Sequence, residues 1–464
     1  MTRRLQVWFA AALLCVSVSA QTAAGPAKPL TLDEAVTYAL AHYPAVRASL
    51  ERLNSARAGV AVAQTNYLPS ANALWQANRA THNNIFGLLL PQGVVPSISG
   101  PVLPDTSNAG AWGSAAGVLV SWEPLDFGYR RSLVQSARDA QGIAAAQAQL
   151  TRLDVASAAV AAFLNLAAAQ QTLRAAQANV DRRQVFIASV HALVQNELRP
   201  GAEESRANTE LAAARIRLIQ AETAEQVGRA ALADLLSLPL ESVAIDAFSL
   251  LRMPPAATPP SPMTHPNIAI EQARAQLAGD QLRVLDRSYV PRFNLQTALS
   301  GRGSGANLDG TNQGGASGLD LQRQNWAIGL TATFPVFDIF SIRARRQVAL
   351  ADQRAQQARV EQVHQDVNAQ AAQARASAEG ARRIAEATPV ELKSAQDAEA
   401  QARARYQAGL TTVIEVSDAE ALLVQAEIDD AVAKLIAWRS LAALAAAQGS
   451  LDPFLEAVRN AGGH

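Results

Sequence analysis

Cysteine is almost missing from this chain: of 464 residues one is Cys15, within the first twenty. Disulfides inside the chain and a cysteine-rich metal site are excluded at once. Aromatic residues make up only 5 % and charged residues 17 %, and 40 basic side chains balance 40 acidic ones. A neutral chain lacks the basic excess that nucleic-acid phosphates call for, so no nucleic-acid partner is expected. The histidines His42, His82, His191, His265, His364 and His464 are scattered, with no pair at metal-ligand spacing. Gly301–Arg302–Gly303–Ser304–Gly305 is followed by no helix, as a dinucleotide site would require, and reads as loop punctuation. No cofactor, metal or enzymatic activity is expected.

Long hydrophobic runs are also lacking. The one at the start, from about Val7 to Val18, is too short to span a bilayer as a helix. Arg3 and Arg4 precede it and Val18–Ser19–Ala20 follows, so residues 1–20 read as a secretory signal cleaved after Ala20. A short membrane anchor is the alternative, whereas a lipoprotein signal would want a small residue where Leu14 stands. The mature chain is then exported without cysteine and depends on packing or assembly for stability. No later run has the roughly twenty apolar, charge-free residues of a transmembrane helix.

What the chain does have is a duplication. His42–Tyr43–Pro44 and a helical run closing with Tyr67–Leu68–Pro69 return as His265–Pro266–Asn267 and a run closing with Tyr289–Val290–Pro291. Trp122–Glu123–Pro124–Leu125–Asp126 corresponds to Phe334–Pro335–Val336–Phe337–Asp338, and Pro200–Gly201 to Ala408–Gly409–Leu410. Such a repeat is one structural unit used twice. It divides the chain into an N-terminal segment 21–41, a first repeat 42–236, a Pro-rich link 237–264, a second repeat 265–448 and a tail 449–464.

Four segments alternate with period two, at about 71–81, 112–122, 292–300 and 325–334. Each has one apolar face and one small or polar face, the weak signature of a membrane barrel strand, although a soluble sheet alternates in the same way. Trp75, Trp112, Trp122 and Trp326 are four of only six tryptophans, and three of these sit near strand ends. Amphipathic rings favour the membrane–water interface, which makes them candidate membrane-interface aromatics against lipid.

Helix-favouring composition fills most of the rest. The stretch 130–198 has no proline and a single glycine, and the second repeat offers its matching run at 342–407. At 1.5 Å per residue each makes a rod of about 100 Å, which must pack side by side with others to be stable. Return helices are expected at 202–236 and 412–448, and shorter helices precede the strands. Stacked end to end, the two short helices of a repeat match one long helix, with the strands at one end of the rod and the Gly turn at the other. Pro389, inside the second long helix, is expected to kink or break it. Four strands cannot close a barrel, because the smallest membrane barrels need about eight, and open edges are not tolerated in lipid. The chain is therefore expected to oligomerise, and three copies would enclose a lumen.

The duplicated order of helix, two strands, long helix, Gly turn and helix resembles the TolC-like outer-membrane efflux proteins. Leu30–Thr31–Leu32–Asp33–Glu34–Ala35, the Tyr–x–Pro before the first strand of each half, the Pro–x–Asp after the second and Tyr406–Gln407–Ala408–Gly409–Leu410 carry the likeness over essentially the whole mature chain. It implies an α/β membrane protein: a homotrimer with a twelve-strand outer-membrane β-barrel, four strands per chain, continued by a long antiparallel α-helical barrel in the periplasm. The implied function is a passive exit channel of a tripartite efflux or type I secretion system. Its implied partners are a periplasmic adaptor (membrane fusion protein) and an inner-membrane pump of RND, ABC or MFS class.

An equatorial belt would be built from the N-terminal segment, the Pro-rich link and the tail. By the same resemblance Tyr406, Thr411, Glu415 and Asp418 line the periplasmic aperture, with the acids ringing it and Thr411 standing where some members carry a latch arginine. Pro200, Gly201, Gly409, Leu410 and Thr411 form the tips that meet the adaptor. The second copy, with Glu415, Asp418 and Pro389, is the expected gate. A periplasmic coiled-coil adaptor or scaffold is the alternative function, but it leaves the tryptophan-marked strands unexplained.

Overall fold

Alanine-rich stretches free of breakers fold into helices well beyond globular length, and capping chemistry sets where they stop. The computed structural model describes residues 29–81, 110–256, 265–307 and 311–462. The segment 1–20 read as a secretory signal, the apolar part of the first strand connection and part of the Pro-rich link lie outside the described residues. The elements are α1 (Leu32–His42), α2 (Pro44–Thr65), β1 (Ser70–Thr81), β2 (Gly110–Leu125), α3 (Tyr129–Gln195), α4 (Gly201–Leu236), α5 (Pro266–Arg287), β3 (Arg292–Ser304), β4 (Arg323–Thr333), α6 (Ile339–Gln407), α7 (Val413–Ala447) and α8 (Asp452–Gly462). Two 3₁₀ turns, Leu240–Ser242 and Phe248–Leu251, follow α4.

The described residues form two compact units. One draws on 47–151 and 262–370 and holds all four strands; the other draws on 1–46, 152–261 and 371–464.

In the strand-bearing unit the sheet is antiparallel in the order β1-β2-β3-β4. Its register aligns Ala73, Val118, Leu299 and Trp326 across all four strands. Directly opposed residues share a face. One face therefore collects Trp75, Val118, Val120, Leu295, Leu299, Ile328 and Leu330, while the other carries Asn72, Gln76, Ser121, Asn294, Gln296 and Asn325. Ser121 Oγ donates to Asn294 Oδ1 on that polar face, at 2.9 Å.

The glycine run expected as loop is partly strand, since β3 continues through Gly301–Ser304. A Cβ at Gly303 would stand 1.9 Å from the carbonyl oxygen of Asp320, and one at Gly117 2.7 Å from Ser300. Glycine is there because backbone passes where a side chain would be.

Each second strand leads into a long helix through the aspartate noted in the sequence. Asp126 accepts from the backbone N–H of Gly128 (3.2 Å) and of Arg130 (2.6 Å), satisfying donors that the first turn of α3 leaves open.

The second unit owns the main core. Leu32, Phe163, Leu166, Leu232, Leu250, Trp438 and Phe454 are almost wholly buried in one cluster. Each such side chain contributes about 1.5–3 kcal/mol of apolar burial. Thr31 and Glu34 close a capping box on α1. Leu30 exchanges backbone hydrogen bonds with Ala244 (2.9 Å) and Asp246 (2.8 Å), and Arg459 of α8 pairs with Asp33 at 3.0 Å. Trp438 Nε1 donates to the Arg252 carbonyl at 3.0 Å. The N-terminal segment, the link after α4 and the tail thus meet in one core.

Composition makes α3 alone, among the described residues, long and apolar enough to cross a membrane. Its apolar stretch instead supplies Val155, Val160, Phe163 and Leu166 to this core.

Helix α6 is not broken at Pro389. The carbonyl that proline leaves without its N–H partner belongs to Ala385; Thr388 Oγ1 lies 3.4 Å from it and has its nearer acceptor in Asp430 Oδ1 at 3.1 Å.

Candidate functional site

Two turns join the long helices to their return helices, and both use the same cap. At the end of α6, Gly409 adopts φ +76, its N–H reaches the Tyr406 carbonyl at 3.0 Å, and the Leu410 N–H reaches the Arg405 carbonyl at 2.9 Å. That is a Schellman motif with glycine in the left-handed position. At the end of α3, Glu197 has φ 59, its N–H reaches the Val194 carbonyl at 3.0 Å, and the Leu198 N–H reaches the Leu193 carbonyl at 2.9 Å.

Glu197, not Gly201, is therefore the counterpart of Gly409. The sequence pairing of the two glycines is out of register, and Gly201 is simply the first residue of α4. With the caps superposed, Leu198 corresponds to Leu410, Arg199 to Thr411 and Glu203 to Glu415. The second copy is thus not alone in carrying an acid there.

These residues meet. Arg199 lies over the Tyr406 ring, 4.8 Å from its centroid, and donates to the carbonyls of Thr411 (3.1 Å) and Tyr406 (3.4 Å). It also pairs with Glu203 at 3.6 Å. The Tyr406 hydroxyl donates to Glu203 Oε2 at 3.2 Å, and the ring packs on Phe186 at 5.3 Å between centroids. Tyr406 is buried, and burial first, with the Glu203 carboxylate second, pushes its phenol up to about 12. The phenol stays protonated and remains a donor at any physiological pH.

The two acids expected at the aperture stand differently. Glu415 is held by Arg405 at 2.7 Å and by the Thr411 hydroxyl, whereas Asp418 is exposed and makes no ion pair among the described residues. Leu198 and Leu410 are both exposed, at 68 % and 71 %, which puts an apolar side chain outward at equivalent places on the two turns.

One polar cluster was missed from sequence. Glu420 of α7 has no exposed surface and lies 3.2 Å from Arg403 of α6 and 3.8 Å from Arg183 of α3. Arg183 also faces Glu210 of α4 at 3.5 Å, so four helices converge on the group. Burial raises the Glu420 carboxyl above its ordinary value against the pull of Arg183 and Arg403. A signal was available: Glu420 occupies the helical stripe of Val413, Val416, Leu423 and Val424, where an acid is out of place.

All four singled-out tryptophans fall on the apolar face of the sheet. Trp75 and Trp326 are 73 % and 78 % exposed, Trp122 donates from Nε1 to the Tyr67 carbonyl at 3.1 Å, and Trp112 lies under Arg79 at 5.6 Å. Among the described residues no group of His, Cys, Asp and Glu could hold a metal ion.

A family model described as outer membrane efflux protein matches residues 35–237 and 263–450. Protein CyaE of Bordetella pertussis is 28 % identical over 439 residues, covering 90 % of this chain and 84 % of that protein. The outer membrane protein VceC of Vibrio cholerae superposes with a TM-score of 0.70 at 18 % identity, over 90 % of this chain and 96 % of that one. The open state of the MtrE outer membrane channel of Neisseria gonorrhoeae gives 0.67 at 20 % identity, over 90 % and 89 %.

Proposed function

The chain belongs to the outer membrane efflux protein family, and from that membership we propose a homotrimer whose twelve strands close one barrel and whose helices continue it as a periplasmic duct. The protein is an outer-membrane exit channel, and the family and its structural neighbours are channel proteins. We assign it no chemistry of its own: it is a passive conduit, opened when a periplasmic adaptor and an inner-membrane pump of RND, ABC or MFS class dock on it.

The observation that carries the trimer is the sheet. Four strands leave β1 and β4 with one unpaired edge each, and β4 is exposed along its whole length. Open edges and an exposed apolar face are satisfied only by further copies and by lipid. An adaptor or scaffold reading has no use for that face. The core formed by the N-terminal segment, the link and the tail supplies the belt around the duct.

In the gate, Tyr406, Glu203 and Arg199 form the latch within one protomer. Arg199 provides, from the first turn, the guanidinium that Thr411 does not. Glu415 and Asp418 supply the acidic ring, with Asp418 the member free to hold a cation, since rings of acids favour multivalent ions. At the tips Leu198 and Leu410 present the apolar contact for the adaptor, flanked by Pro200, Gly201, Gly409 and Thr411.

The test is to extract the protein from isolated outer membranes, establish a trimer by native mass measurement and record single-channel current in a planar bilayer. A soluble monomer without conductance overturns the channel. Divalent block should weaken for Asp418→Ala and weaken further with Glu415→Ala added, and unchanged block removes the ring.

A further inference from the structure

The places where strands hand over to helices share one composition. After β2 comes Phe127, and after β4 come Phe334, Phe337 and Phe340, exposed at 52 %, 61 %, 86 % and 70 %. Packing ties the handovers together. Phe127 meets Phe293 at 6.2 Å between ring centroids, Arg292 lies 4.6 Å over the Tyr129 ring, and Arg346 pairs with Asp286 at 2.8 Å. The end of β2, the start of β3 and the start of α6 therefore form one level of the strand-bearing unit.

Charge at this level is one-sided. Arg130 is occupied by Glu123 and Asp126, and Arg346 by Asp286. Arg131, Arg287, Arg343 and Arg345 are exposed and make no ion pair among the described residues; the acids Asp338, before α6, and Asp352, lining the same cavity as Arg345, do not offset all four. Exposed phenylalanine beside unpaired guanidinium is costly in water and well suited to a bilayer surface. The ring enters the acyl boundary, and the arginine stem lies along apolar surface with its head among phosphates.

We propose that this collar of phenylalanine and arginine binds the headgroups of anionic glycerophospholipids in the leaflet next to the helices. The assignment rests on the reading that the sheet crosses the bilayer, and it is continuous with the apolar sheet face, which ends at this level. What it adds is a lipid class. A neutral headgroup satisfies the phenylalanines, but only a net negative one matches the unpaired arginines.

The probe is phosphatidylglycerol against phosphatidylcholine, mixed equally and offered to the full-length trimer in liposomes. Lipid retained after extraction is read by native mass spectrometry. Wild type should retain phosphatidylglycerol preferentially. Arg343→Gln with Arg345→Gln should cut that preference by about tenfold or more, at about fivefold per basic side chain near an anionic surface. High salt should erode it as well, because exposed charges are screened.

Arg131→Gln with Arg287→Gln is the second variant, so a folding defect in one pair does not decide the question. Single-channel current in phosphatidylcholine alone should be unchanged in both. Equal retention of the two lipids by wild type, or a preference that survives both variants, overturns the collar. Loss of current in wild type would instead overturn the channel.

Discussion

Glu420 is the residue at which burial and charge most directly oppose each other. It has no exposed surface and keeps one carboxylate oxygen without a hydrogen bond, beside Arg183, itself only 4 % exposed. Burial raises its pKa, so the folded state binds the proton more tightly than the unfolded chain does. The associated stability is fully present below the ordinary value of 4.5 and is lost as pH rises through the folded value. The melting temperature of wild type relative to Glu420→Gln should therefore climb as pH is lowered from neutrality, and a gap that stays flat shows that Glu420 does not titrate. Glu420→Ala leaves buried Arg183 with Glu210 alone, at 3.5 Å, and should destabilise in chemical denaturation by less than the roughly 3–5 kcal/mol of a fully stranded buried charge. The stripe it interrupts is legible in the sequence. Its partners are not, because Arg183 and Arg403 lie on other helices and only packing brings them to it.

At the scale of elements, the long helices were legible because nothing in α3 interrupts them, and α6 runs on through its one proline, Pro389. Strand positions followed from alternation, except where Gly301–Ser304 extends β3 under close backbone. The first Gly turn misled. Its left-handed residue is Glu197, and a sequence search for the cap stops at Gly201 because glycine is the usual occupant. Holding a glutamate at φ 59 costs of order 1 kcal/mol. Glu197→Gly should thus raise unfolding stability by up to about 1 kcal/mol, a little offset by the greater freedom of glycine in the unfolded chain. No gain, or a loss, would mean that the Glu197 side chain makes compensating contacts.

At the scale of the molecule, the sheet decides how the chain lives. Its register places Ile328 on the apolar face and Ala327 on the other. Arginine on a lipid-facing position near mid-bilayer costs about 2–4 kcal/mol, whereas a lumen position tolerates it. Ile328→Arg should therefore lower the yield of membrane-inserted trimer, while Ala327→Arg should insert normally and shift ion selectivity toward anions. Equal yields for both would contradict the face assignment.

By itself the sequence determined the duplication, the helices, the four alternating strands and the four tryptophans that mark them, since all of these follow from local periodicity and composition. Only the tertiary structure decided that Arg199 lies on Tyr406 and reaches the Thr411 carbonyl, that Glu203 accepts from the Tyr406 hydroxyl, and that Glu420 sits between two arginines. Those pairings join residues far apart in the chain, and their distances exist only once the helices have packed.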